Sequence, residues 1–380
     1  MQTRDGLKYI QIRDLLVDQF RKDGYEAGRK LPTELELTKR LGVSRTTIRQ
    51  ALELLENDGI VRKRHGSGTF FVGHEETPME EVTGLIGLVN FFFMDYIYPE
   101  IIRGIEETIF RRGYSLALAN CNLDTNREIE SVERLVEQGV RGLILEPSRN
   151  LQIREDHPMQ KLISDISIPV VTTHWGISNK RVSTVTLDDL RAGYDAARYL
   201  IDAGHREIAM LYKGDVQAGY DRHLGYERAL REAGIEPDSR LLYVYDNEME
   251  SADLRQGYLG TMELLTKKEV RPTAIFYFND HTAMQGYGAV QELGIAVPEE
   301  LSLLGFDNYG TTELLHPPLT TFEHPKYELG RWAANLLLDE LDHPGKRLPM
   351  KLVFEPTLVE RRSVAPPPMQ RGSGAATIEP

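Results

Sequence analysis

A single cysteine, Cys121, stands in 380 residues. It excludes an internal disulfide and any cysteine-only metal site. Long apolar runs are missing as well. Leu85 to Val89 and Ala274 to Phe278 are strand-length, far below the roughly 18 residues of a membrane span. The opening residues, Met1 to Asp14, are polar and amphipathic, without the apolar core of a secretory signal. These absences give the expectation of a reducing cytoplasm and no membrane partner. Catalytic signatures are equally scarce. No glycine-rich phosphate cradle follows the first apolar strand pattern of the larger part of the chain, and neither HExxH nor a nucleophile elbow occurs. The expectation is a binding protein with no enzymatic activity, no cofactor and no resident metal.

What the sequence does hold is unevenly charged. The net charge is −13, which looks wrong for a partner of nucleic acid. Residues 1–72, however, carry 14 Lys and Arg against 10 Asp and Glu. The remaining residues carry 31 against 48. The basic excess is local and peaks at Arg62-Lys63-Arg64-His65. A basic head on an acidic body suits a DNA-binding head joined to a part that does not bind DNA.

The head reads as three helices and a hairpin. Ile12, Leu15, Leu16 and Phe20 recur at helical spacing between Lys8 and Lys22, and Gly24 ends that pattern. Thr33 and Glu36 form a capping box for a second helix, with Leu35 and Leu37 on its apolar side and Gly42 at its end. Ser44 caps a third helix running to about Glu56, whose Ile48, Leu52 and Leu55 face inward. Arg45, Thr46, Arg49 and Gln50 are left on its outer, N-terminal face. Asp58-Gly59 is a turn. Ile60-Val61 and Thr69 to Val72 then read as two strands around the tip His65-Gly66-Ser67-Gly68. This is the layout of a winged helix-turn-helix, with one helix for the major groove. Lys30 and Arg64 are placed to reach phosphates. Glu34, a poor phosphate neighbour, is placed to orient Arg45 or to serve the helix start.

Leu31-Pro32-Thr33-Glu34, Val43 to Arg49, and Gly66-x-Gly68-Thr69-Phe70-Phe71-Val72 resemble the GntR-family DNA-binding domain. That resemblance implies operator contact at Arg45, Thr46, Arg49, His65 and Gly66. With the cap residues Thr33 and Ser44, and with Lys30 and Arg64, these are the candidate DNA-binding residues. The domain is expected to span residues 1–72. The polar stretch at 73–84, with Pro78, reads as a linker.

From Leu85 to Arg361 strand and helix patterns alternate, which implies parallel sheets covered by helices. Strands are expected at 85–90, 115–119, 142–146, 168–173, 207–212, 241–245, 273–278 and 301–305. Ligands of such folds bind beyond the carboxyl ends of the strands. The residues placed there are Tyr96 and Tyr98, Glu146, His174 and Trp175, Lys213, Arg222, Asn279 and Asp280, and Asp307. Aromatic faces with carboxylate, guanidinium and amide groups suit a sugar. Structural roles compete at several positions. Glu146 could cap a helix, Trp175 could sit buried between lobes, and Asp188 and Asp189 open a helix as caps. His205 reads as a structural turn residue, and Phe91-Phe92-Phe93 as core or dimer packing.

Leu200-Ile201-x-x-Gly204-His205-Arg206-x-Ile208, Arg222-x-x-Gly225-Tyr226, Phe278-Asn279-Asp280, Leu303 to Asn308 and Pro318-Leu319-Thr320-Thr321 resemble the LacI/GalR-type sensor domain. That domain is similar to periplasmic sugar-binding proteins. The resemblance implies a two-lobed α/β body at 85–361 that binds an effector and dimerises. It implies that Arg222, Asn279 and Asp307 hold the effector, with His174 at another polar contact. A GntR-type head on a LacI-type body resembles the arabinose-repressor subgroup. The expected function is therefore a homodimeric repressor of carbohydrate-utilisation genes. A small sugar, an arabinose-like pentose, binds between the lobes and releases operator DNA. The alternatives are a regulator with a sugar-phosphate or purine-type effector or corepressor, an enzyme, and a transport binding protein. Residues 362–380, with Pro366-Pro367-Pro368 and Gly372-Ser373-Gly374, read as a flexible tail.

Overall fold

The computed structural model describes residues 12, 13, 15–17, 19, 20, 23–57, 60–64, 68–72, 84–90, 93, 96–122, 124–147, 157–176, 182–267, 269–345 and 348–368. The chain divides into two compact units, 1–82 and 83–380. In the first, Leu16, Phe20, Leu31, Leu37, Ile48, Leu52, Leu55 and Phe71 form one buried core. Helices Glu34–Leu41 and Arg45–Asn57 are joined through Gly42, whose φ of 64° is the left-handed conformation that a side chain would oppose. The capping box is formed: Glu36 N–H donates to Thr33 Oγ1 at 3.3 Å, and Thr33 N–H to Glu36 Oε2 at 2.7 Å. Strands β1 (Val61–Arg64) and β2 (Gly68–Phe71) pair antiparallel as the wing. Two expected core residues differ. Leu15 and Leu35 keep helical spacing but lie exposed beside the buried stripe. The Asp58-Gly59 turn and the tip at 65–67 lie outside the described residues.

The second unit has two lobes. The sheet of lobe one is parallel throughout. It runs β13 (Lys351–Phe354), β7 (Ser183–Leu187), β6 (Val170–His174), β5 (Gly142–Leu145), β3 (Gly84–Asn90) and β4 (Tyr114–Asn120). Helices Tyr98–Phe110 and Lys326–Asp342 bury Ile101, Ile105, Leu329 and Ala333 on one face. Helices Thr125–Glu137 and Pro158–Asp165 cover the other face with Val132, Leu135, Met159 and Ile163. Alternation along β3 feeds both cores, Ile86 and Leu88 to one side and Val89 to the other. Lobe two repeats the plan. Its parallel sheet runs β11 (Ser302–Leu304), β10 (Ala274–Tyr277), β8 (Ile208–Lys213) and β9 (Leu242–Tyr245). Helices Asp189–Asp202 and Gln217–Glu232 lie on one face, and Gln256–Thr266 and Asp280–Glu292 on the other. A small antiparallel pair, β12 (Thr321–Glu323) and β14 (Thr357–Val359), extends from β11.

The chain crosses between the lobes three times: from β7 into helix Asp189–Asp202, from β12 into helix Lys326–Asp342, and from β13 into β14. Strands β7, β12, β13 and β14 are absent from the sequence expectation. Ser183-Thr184-Val185-Thr186-Leu187 is fully buried yet mostly hydroxylic, so it shows no apolar run; the Thr172 and Thr184 hydroxyls bond each other at 2.8 Å. The strand expected at 168–173 begins at Val170 rather than 168, after Pro169. The tail expected from Arg362 is also corrected. Ser363 is fully buried, and its Oγ donates to Leu303 O at 2.6 Å and accepts from Thr320 N at 2.8 Å. His205 is structural, its Nε2 lying 2.9 Å from Ala365 O. The prolines suggested disorder, whereas backbone groups of β11 hold the segment in place. Residues 369–380 lie outside the described residues.

Glycine sets the helix spacing in lobe two. A Cβ on Gly225 would sit 2.0 Å from Leu190 O, and one on Gly193 would sit 1.8 Å from Arg222 O. Only hydrogens lie between these two helix backbones, which brings Arg222 beside Asp189. Gly225→Val must therefore push the helices apart. The expected cost is about 1–3 kcal/mol, read as a lowered midpoint of thermal unfolding. An unchanged midpoint would contradict this packing.

Candidate functional site

The outer face of helix Arg45–Asn57 presents Arg45 and Arg49, their side chains 65% and 55% exposed. Both lean on Glu34: Arg45 Nε donates to Glu34 Oε2 at 3.0 Å and Arg49 Nη2 to the same oxygen at 3.4 Å. One carboxylate thus gathers two guanidinium groups at the start of the helix, and Glu34 orients Arg45 as expected. Thr46 is exposed beside them. Thr33 and Ser44 are exposed too, but their hydroxyls serve the caps, Ser44 Oγ accepting from Thr47 N at 3.1 Å. Lys30 lies along the wing, pairing with Phe70 and crossing Gly68. Arg64 ends β1 opposite Gly68. Its side chain, His65 and Gly66 lie outside the described residues.

The second site is the crevice at the carboxyl ends of the two parallel sheets. Glu146 follows β5 and is buried. His174 ends β6, with its Nδ1 3.0 Å from Glu146 Oε1 and its Nε2 3.0 Å from His324 Nε2. Burial alone would push the His174 imidazole down; the Glu146 carboxylate, together with Asp189 and Asp307, opposes it, and the net shift is upward. Burial pushes His324 far down, and the charges of His174, Lys326 and Arg222 push the same way. His174 is therefore the more basic of the two rings. Tyr98 donates to Glu146 Oε1 at 3.4 Å. Trp175 is buried against Cys121 and Tyr98.

Across the crevice, Arg222 is buried and held on three sides. Its Nε donates to Asp189 Oδ1 at 2.8 Å, its Nη1 donates to Phe278 O at 2.6 Å, and its guanidinium lies 3.5 Å over the Phe306 ring. The Tyr96 hydroxyl, from lobe one, donates to Asp307 Oδ2 of lobe two and accepts from Asp280 N–H at 3.1 Å. Burial raises the Asp307 carboxyl, and Arg222 opposes that shift. Among the described residues other than glycine, only Tyr96, Asn122, His174, Asp307 and Asn308 have positive φ. Three of them, Tyr96, His174 and Asp307, were expected in the crevice from sequence. Strained backbone of this kind persists where its surroundings over-determine it, often at functional sites.

Two candidates have structural work. Asn279 Oδ1 caps helix Asp280–Glu292, accepting from Thr282 N at 2.9 Å. Asp280 is fully buried, bonded by Thr321 Oγ1 at 2.7 Å and Tyr309 N at 2.8 Å. Burial first, and Asp307 second, push its carboxyl up to about 8. An unfolded aspartate titrates near ~3.9. The folded chain then keeps a proton that the unfolded chain releases, so this contribution is present at low pH and lost as pH rises through about 8. Asp280→Asn cannot titrate, and its thermal midpoint should fall less between pH 5 and pH 8, taken as roughly the bounds of that window, than that of the wild type. Parallel curves would exclude the assignment.

Asp189, Asn247, His324 and Lys326 were missed as site residues. Asp188 does cap its helix, its Oδ1 accepting from Arg191 N at 2.9 Å, but Asp189 turns inward to Arg222. Glu146 Oε2, His324 Nδ1 and both side-chain amide atoms of Asn247 are buried with no hydrogen-bond partner among the described residues. Lys213, expected beyond the end of its strand, is paired with Glu250. Among the described residues no group of three His, Cys, Asp or Glu is placed to hold a metal, and no helix is long and apolar enough to cross a membrane.

Comparisons with known proteins match both units of the chain. Residues 8–71 match the family of bacterial regulatory proteins termed gntR, and residues 197–364 match the periplasmic binding protein-like domain. The arabinose metabolism transcriptional repressor of Geobacillus stearothermophilus is 32% identical over 364 residues, 96% of this chain and 99% of its own. The HTH-type transcriptional repressor PurR of Erwinia tasmaniensis is 35% identical over 293 residues, 75% of this chain and 81% of its own. A crystal structure of a LacI family transcriptional regulator from Enterococcus faecium with bound ribose superposes with a TM-score of 0.64 at 27% identity. It covers 74% of this chain and 99% of that one.

Proposed function

The chain belongs to the transcriptional regulators that join a GntR-type DNA-binding domain to a LacI/GalR-type, periplasmic-binding-protein-like sensor, and from that premise we propose a sugar-responsive repressor. Two copies place two heads on a pseudo-palindromic operator. A small sugar, an arabinose-like pentose, enters the crevice and weakens that grip. The effector acts through its differential affinity for the DNA-competent and DNA-released states.

The observation that carries the sugar reading is the leftover polarity of the crevice. Glu146 Oε2 is a buried acceptor without a donor, and His324 Nδ1 is a buried nitrogen without a partner. Sugar hydroxyls donate and accept at once and satisfy both. The cations, by contrast, are already matched: Arg222 by Asp189 and Lys213 by Glu250. A phosphate would have to break one of these pairs, which favours a neutral ligand. Arabinose is favoured because the likeness to the Geobacillus repressor spans head and body together.

A thermal-shift panel of the full chain tests this directly. At a concentration about 100 times Kd, the bound state gains ~2.7 kcal/mol. That raises the unfolding midpoint by several degrees. L-Arabinose should give the largest shift among pentoses and hexoses, and should lower operator affinity in a gel shift. A shift given only by purines or sugar phosphates, or tighter operator binding with sugar, would replace this reading with a different effector or a corepressor.

A further inference from the structure

Lys326 is an unusual residue in an unusual place. It is the first residue of helix Lys326–Asp342, where the helix dipole disfavours a cation. It is also only 6% exposed, and buried lysines are rare unless paired. Its ammonium donates to Asp307 O at 2.6 Å, His324 O at 3.2 Å and Asn308 O at 3.4 Å, so its three protons meet three carbonyls. The Glu323 carboxylate lies 3.8 Å away.

Those carbonyls belong to two different parts of the body. Asp307 and Asn308 follow β11 in lobe two, whereas His324 lies on the crossing into lobe one. Asp307 and Asn308 have φ of 107° and 46°, consecutive left-handed conformations that no glycine relieves. The turn is tied down elsewhere as well. Asp307 N–H donates to Phe322 O at 2.9 Å, and the Asn308 side chain is bonded to both Glu323 and Arg361. We infer that Lys326 is a positioning residue for the effector: it fastens the Asp307–Asn308 turn to the interlobe crossing and so holds the Asp307 carboxylate facing Tyr96. Arg222, His174, Asp280 and Tyr98 are further charged or titratable groups around that carboxylate. The role of Asp307 toward a sugar rests on the function proposed above; the fastening of the turn does not.

The test uses the full-length chain with Lys326→Met and the milder Lys326→Gln, which keeps N–H donors without the charge. Hydrogen exchange is followed by mass spectrometry, L-arabinose affinity by calorimetry, and operator affinity without sugar by gel shift. In Lys326→Met, amide exchange across 305–312 should rise about tenfold or more, while β8 and β10 keep their protection. Arabinose affinity should fall about tenfold or more, and sugar-free operator affinity should stay within about twofold. Lys326→Gln should lie between. Unchanged exchange at 305–312, a loss of protection spread over all of lobe two, or full arabinose affinity in Lys326→Met would each overturn the inference. If the wild type binds no sugar, the sugar reading fails alone, and the exchange pattern still decides the role of Lys326.

Discussion

Arg222→Ala is expected to abolish the response to sugar and leave sugar-free operator binding intact. The guanidinium is buried, fixed by Asp189 and Phe278 O, and stacked on Phe306. It needs no reorganisation to meet a hydroxyl, which is what makes such a contact strong. A hydrogen bond from a charged donor to a neutral hydroxyl is worth about 1.5–3 kcal/mol. The expected loss of sugar affinity is therefore roughly ten- to a hundredfold. The single variant also strands the Asp189 carboxylate, a destabilisation of about 3–5 kcal/mol. Arg222→Ala combined with Asp189→Ala removes that stranded charge. The double variant should regain much of the thermal midpoint and none of the sugar binding. Recovery of both together would mean that Arg222 supports the fold and does not touch the effector.

Arg45→Ala and Arg49→Ala should each strip the operator grip. A guanidinium reading a base edge is worth about 1–3 kcal/mol per head, and in the proposed dimer the loss would double. Each variant should also relax preference at one operator position per half-site. Lys30→Ala, by contrast, should weaken all sequences alike and flatten the salt dependence. Competition binding against operators with single base changes separates the two patterns. Equal losses on all sequences for Arg45→Ala would reduce it to a phosphate contact. Glu34 adds a second expectation: because one oxygen gathers both guanidinium groups, Glu34→Gln should weaken specific binding although it removes a negative charge beside DNA.

The head was legible because its information is local. Thr33 with Glu36, Gly42, and Ser44 with Thr47 lie within one helical turn of each other, and each forms the cap its spacing implies. Leu15 and Leu35 show the limit of that reading. Helical spacing marks a stripe, and only packing decides which edge of the stripe is covered. In the body, alternation gave eight strands and the crevice they point to. It could not give β7, whose burial depends on hydroxyl pairs between strands. Nor could it give Asp189, whose partner lies 33 residues away and is brought near by backbone contact at Gly193 and Gly225. His174 and His324 are 150 residues apart. No periodicity connects them; they meet because a crossing segment returns beside the end of β6.

The three crossings also dictate an order of events during synthesis. Lobe one begins at β3, yet helix Lys326–Asp342 and β13, which close its sheet and one face, come after nearly all of lobe two. Lobe two in turn is sealed by β14 and by Ser363 beneath β11. A ribosome therefore releases the means to finish either lobe only with the last part of the message. At roughly 5–20 residues per second, the head has many seconds to fold first, with its core complete by Phe71. Nascent chains arrested before residue 326 should present a folded DNA-reading head beside an open, protease-sensitive body.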